Sequence, residues 1–98
     1  MRFQNKTVII TGASRGIGAQ TAIQFAKEGA NVVLDYFVSD YEPDAKENAE
    51  EIKDEIEKLG SKVIMVSCDV REESQIENLI TETKKIFGKI DVLVNNAG

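Results

Sequence analysis

The clearest chemical signal in this chain is the run Thr11-Gly12-Ala13-Ser14-Arg15-Gly16-Ile17-Gly18. It follows the apolar run Val8-Ile9-Ile10 and leads into a segment of helical spacing. Each glycine has its own physical use. Gly12 allows a tight turn out of a strand. Gly16 leaves no side chain where a pyrophosphate must approach the backbone, and Gly18 lets a helix pack close on a sheet. The helix start then offers free N–H groups and the positive end of its dipole to phosphates. The spacing, G-x-x-x-G-x-G, departs from the G-x-G-x-x-G form. Its context, strand before and helix after, is the one that a phosphate-binding turn requires. A glycine-rich turn without a ligand is the competing reading. It is disfavoured because three glycines weaken a fold unless a close approach needs them.

Other positions carry weaker signals with competing explanations. Asp69-Val70 follows an apolar run, and Asp69 could simply cap the helix after it. Asn95-Asn96-Ala97-Gly98 could be only a turn, since such residues favour turns. Cys68 reads as a small buried hydrophobe. Without any histidine in the chain to activate it, a nucleophilic role is not expected. The acids Glu47, Glu50, Glu51, Asp54, Glu55 and Glu57 interleave with Lys46, Lys53 and Lys58. They read as a solvated helix face, and no metal site is expected there.

These residues need elements to hold them. Four apolar runs, Val8–Ile10, Val32–Leu34, Val63–Val66 and Val92–Val94 preceded by Ile90, are unbroken and rich in β-branched residues. Such runs suit strands of a parallel sheet covered on both faces. Between them lie three stripes of helical period: Gly18, Ala22, Phe25 and Gly29; Ala45, Ala49, Ile52, Ile56 and Leu59; Ile76, Leu79, Ile80, Thr83 and Phe87. Pro43 is placed as a first-turn proline, and Gly29, Gly60 and Gly88 as terminators. The polar, acidic stretch from Ser39 to Asn48 reads as a loop leading into the second helix. The order is βαβαβαβ, an α/β fold of Rossmann type with helices on both faces of a parallel sheet.

Bulk properties narrow the partners. With 98 residues there is one domain at most, and 42% hydrophobic against 30% charged residues is ordinary for a globular protein. The net charge of −5 argues against a nucleic-acid or anionic-membrane binder, because both need a basic surface. A single cysteine excludes an internal disulfide and points to the cytoplasm. No apolar run approaches a membrane span or a signal peptide.

The glycine turn, Asp69-Val70 after the third strand and Asn95-Asn96-Ala97-Gly98 after the fourth fall in one register. Together they resemble the short-chain dehydrogenase/reductase family over the whole chain, with the nearest look to 3-oxoacyl-(acyl-carrier-protein) reductases and their sugar- or steroid-oxidising relatives. The resemblance implies a nicotinamide cofactor. Asp69 and Val70 would meet the adenine ring, and the segment Asn95 to Gly98 would line the nicotinamide ribose. The expected cofactor set is Gly12, Ser14, Arg15, Gly16, Ile17, Gly18, Tyr36, Asp69, Val70, Asn95, Ala97 and Gly98.

The choice of cofactor turns on the end of the second strand. A carboxylate there would bind the ribose hydroxyls and repel a 2′-phosphate. In NAD-preferring members it would fall at Tyr36, whereas Asp35 stands one residue earlier and should aim away from the ribose. Arg15 could pair with a 2′-phosphate, although Phe37 replaces the basic residue that many NADP-users carry. NADP is expected ahead of NAD. An exposed, solvated Arg15 is the bland alternative.

The resemblance implies catalysis by a serine and a tyrosine with a lysine four residues later. Tyr36 and Tyr41 are not candidates, since Asp40 and Ala45 stand four residues after them. No catalytic residue is therefore named. Residues 1–98 are expected to be the cofactor-binding half of a longer oxidoreductase acting on a ketone, alcohol or 3-oxoacyl substrate, homo-oligomeric in its full-length form. The alternative is an isolated or self-associating half-fold without catalysis.

Overall fold

In a computed structural model of the chain, which describes residues 2–96, the four apolar runs become strands β1 (Thr7–Ile10), β2 (Asn31–Tyr36), β3 (Val63–Ser67) and β4 (Val92–Val94). Helices α1 (Gly16–Lys27), α2 (Ala45–Lys58) and α3 (Glu73–Phe87) connect them in order. The strands pair in parallel in the order β3-β2-β1-β4. Ile10 stands opposite Leu34 on one side and Val94 on the other. This register brings the C-terminal ends of β1, β2 and β4 to one rim.

The unbroken apolar character of β1 has a plain cause. Alternate residues of a strand face opposite sides, and here both sides are covered. Val8, Ile10, Val32 and Leu34 pack with Ala22, Ala26 and Ile56 in one cluster. Ile9, Val33, Cys68 and Leu79 form a second cluster on the other side. All four residues of β1 are buried. A fully buried Val or Ile contributes roughly 1.5–3 kcal/mol. At the edge, β4 is only partly covered, and Leu93 is 57% exposed.

Some helix details differ from the sequence reading. Pro43 lies in the turn before α2, whose N-cap is Asp44, so it is not a first-turn residue. Proline fits here because the chain has not yet entered the helix. The buried face of α1 is Gly18, Ala19, Ala22 and Ala26. Phe25 sits at its margin, edge-on to Phe3 at 4.9 Å. Leu59, expected on the apolar stripe of α2, is exposed at the C-cap. Gly29, Gly60 and Gly88 all adopt positive φ, the conformation expected of helix-terminating glycines.

Candidate functional site

The turn from β1 to α1 needs its glycines. Gly12 and Gly16 have φ of +62° and +60°, where a side chain would be strained. Gly18 is different, because contact rather than dihedral angle excludes a side chain. A Cβ there would lie 2.3 Å from the Gly12 carbonyl oxygen and 2.6 Å from Asn96 Nδ2. At Gly16 an added Cβ would meet nothing within 4 Å. The backbone is thus bare on its open side. Helix α1 has no side-chain hydrogen bond at its N-cap, Arg15, and no acid in its first turn. Its first N–H groups thus have no side-chain cap from Arg15, and a helix N-terminus of this kind favours an anion. Ile17 stands beside them, 76% exposed.

Thr11 ties this turn to the end of β4. Its backbone N–H donates to the Val94 carbonyl at 3.0 Å. Its hydroxyl lies 3.3 Å from both the Val94 carbonyl and Asn95 Oδ1, and accepts the Asn96 N–H at 2.9 Å. Asn96 Nδ2 donates to the Gly12 carbonyl at 3.1 Å. The segment 95–96 is thereby fixed against the glycine turn.

Beside the turn lies a cleft of about 530 Å³, lined by Gly12, Ser14, Asp35, Phe37, Ser39, Asp40, Tyr41, Glu42, Cys68, Asp69, Val70 and Arg71. Asp69 is anchored from both oxygens. Arg71 Nε reaches Oδ1 at 3.0 Å, its NH2 reaches Oδ2 at 2.9 Å, and its backbone N–H donates to Oδ1 at 3.0 Å. These bonds, the side-chain ones foremost, hold the Asp69 carboxyl below its ordinary range. The carboxylate does not cap α3, whose N-cap is Glu72, so the capping alternative is not realised. Cys68 is buried in the second cluster. Desolvation, then the charges of Asp35 and Asp69, push its thiol up to about 11. It is a core residue.

Asp35 lies on the same face of β2 as Val33, as strand alternation requires, and it is among the residues that line the cleft. Its side chain is 1% exposed and its Oδ1 has no hydrogen-bond partner. Burial pushes its pKa up to about 7; the Gly12 N–H opposes this and the charge of Asp69 adds to it. Tyr36 is half-buried at the end of β2. Its carbonyl accepts the Cys68 N–H at 2.9 Å, and it is not among the residues that line the cleft.

Of the expected set, Gly12, Ser14, Arg15, Gly16, Ile17 and Gly18 form the turn. Asp69 and Val70 line the cleft beside it, and Asn95 approaches through Thr11. Ala97 and Gly98 lie outside the described residues. Sequence reasoning missed the Thr11 hydroxyl, Arg71 and Glu42. Ser14 donates a short hydrogen bond to Glu42, and Arg15 Nε lies 3.6 Å from the same carboxylate. The Asp-x-Arg spacing could have revealed Arg71. Nothing local connects Glu42 to a turn 28 residues away. Among the described residues no cluster of His, Cys, Asp or Glu is placed to hold a metal. No described helix is long and apolar enough to cross a membrane.

A parallel α/β sheet with a glycine turn opening at its C-terminal rim defines a Rossmann-type nucleotide-binding fold. The short chain dehydrogenase family model matches residues 6–98, and the chain belongs to that family. It is similar to an uncharacterized oxidoreductase of Bacillus subtilis, 40% identical over 98% of this chain and 32% of the relative. It is also similar to a 3-oxoacyl-(acyl-carrier-protein) reductase of Staphylococcus epidermidis, 40% identical over 96% of this chain and 36% of the relative. Among solved structures, hydroxysteroid dehydrogenase from Escherichia coli superposes with a TM-score of 0.82 at 43% identity, over 99% of this chain and 38% of that one. The chain thus spans about a third of the length of the curated relatives it matches. The family implies a nicotinamide dinucleotide cofactor.

Proposed function

We propose that residues 1–98 form the cofactor-binding half of a short-chain oxidoreductase that takes NADP(H) ahead of NAD(H). The parent reaction would interconvert a ketone or 3-oxoacyl group and the corresponding alcohol. The observation that carries this reading is the glycine turn, with bare backbone at Gly16 and an uncapped α1 N-terminus at the rim of the sheet. The residues present fit the cofactor. The turn would hold the diphosphate, Asp69 and Val70 would flank the adenine, and Asn95 would reach the nicotinamide ribose together with Ala97 and Gly98. When bound, the nicotinamide supplies the hydride, and the protein supplies position and orientation. Arg15, 66% exposed in its side chain, supports the preference for a 2′-phosphate. NAD(H) is the second cofactor reading, favoured by the carboxylates of Asp35 and Asp40 along the cleft. A serine, tyrosine and lysine outside these residues would handle the proton, in a cytoplasmic homo-oligomer.

Titration of the chain with NADPH, followed by nicotinamide fluorescence, tests the binding claim. Saturable enhancement is expected, and no response at millimolar cofactor would remove the reading. A self-associating module is a further reading, favoured by the 57% exposure of Leu93 on β4.

A further inference from the structure

The loop between β2 and α2 brings an acid onto the glycine turn. Ser39 and Glu42 exchange backbone hydrogen bonds at 3.3 and 3.1 Å, and the Ser39 hydroxyl accepts the Glu42 N–H at 3.3 Å. This closed turn points the Glu42 side chain back across the cleft. There its Oε2 accepts the Ser14 hydroxyl, and its Oε1 faces Arg15 Nε at 3.6 Å. Ser14 is itself buried, whereas the Arg15 side chain remains 66% exposed. A hydroxyl donor and a guanidinium held side by side can accept one anion between them. The anion held there is the protein's own carboxylate.

We propose that Glu42 is a specificity-determining latch: it occupies the Ser14–Arg15 donor pair, and a 2′-phosphate must displace it, whereas a 2′-hydroxyl need not. The inference rests on the reading of the cleft as a nicotinamide dinucleotide site. A phosphate monoester carries −1.5 to −2 charges near neutral pH. It cannot share the donor pair with a carboxylate, because two anions at contact distance repel. With NAD(H) no such conflict arises, and the latch stays closed. Asp35, Asp40 and Asp69 line the same cleft. Arg71 is held to Asp69 by two side-chain hydrogen bonds of 3.0 and 2.9 Å, whereas Arg15 makes one longer contact of 3.6 Å to Glu42, so Arg15 is the arginine more readily released to a phosphate. Glu42 therefore sets how far the site separates the two cofactors, while the glycine turn serves both.

The test is a titration of the chain with NADPH and, separately, NADH, read by nicotinamide fluorescence. The proteins are the parent, Glu42→Gln, Arg15→Gln and the double variant. Glu42→Gln is expected to tighten NADPH about tenfold, ~1.4 kcal/mol, with NADH within about twofold of the parent. In the Arg15→Gln background that gain should vanish, since coupled residues are not additive. Glu42→Ala repeats the readout without any bond to Ser14. A NADPH/NADH affinity ratio unmoved by both Glu42 substitutions overturns the latch and leaves the cofactor site standing. Failure of every protein to bind either cofactor overturns the site and the latch with it. A parent that prefers NADH but is turned toward NADPH by Glu42→Gln supports the latch and refutes only the NADP preference.

Discussion

At the scale of single residues, Asp35 is the most consequential side chain in the cleft. Its pKa in the fold, pushed up to about 7, lies above its ordinary value of 3.8. The folded chain therefore binds this proton more tightly than the unfolded chain does. The resulting stability is fully present below about pH 4 and is lost as the pH rises through about 7. Asp35→Asn keeps the shape and removes the charge. At pH 8 it should be more stable than the parent by about 4 kcal/mol in urea unfolding, with the difference closing by about pH 4. An unchanged difference between those pH values would show that Asp35 is not buried as a charge. Strand alternation gave the face of this residue but not its burial, because periodicity says which side a residue faces and not what covers that side.

At the scale of elements, two of the three glycines at the β1–α1 turn, Gly16 and Gly18, are constrained differently, and substitution separates them. Gly18→Ala places a methyl against the backbone of Gly12 and the side chain of Asn96. It should cost about 2 kcal/mol of stability through overpacking. Gly16→Ala meets open space but a φ of +60°, so it should cost only ~1 kcal/mol. If the bare backbone at Gly16 is where the diphosphate rests, the same change should weaken NADPH on the order of tenfold or more. Thermal unfolding beside fluorescence titration distinguishes them, and equal effects of both on both readouts would contradict the assignment. The glycines were legible in the sequence because each needs a backbone conformation or a contact that few residues allow. Thr11 was not, since its hydroxyl serves residues 83 to 85 positions away. The helix boundaries were legible except near Pro43, where a turn and a helix start share the same residues.

At the scale of the whole molecule, the element order and parallel sheet were readable because alternation of strand and helix leaves few topologies. The distribution of cover was not readable, because burial depends on which elements lie across each face. A hollow of about 220 Å³ beside α3 is lined by Ile9, Val70, Ile76, Leu79 and Leu93 among others. An exposed apolar edge strand invites pairing with another chain. Sedimentation of the chain should therefore show concentration-dependent association, and Leu93→Lys should shift it at least several-fold toward monomer. Association unaffected by that charge would place the contact elsewhere. The bridge from Thr11 to Asn96 also bears on timing. Its partners lie 85 residues apart, and closing so long a loop is an entropic burden that local helices never face. The glycine turn should thus lock only after the sheet has assembled. During synthesis on a ribosome, affinity for a dinucleotide would arrive with the fourth strand rather than with the glycines themselves.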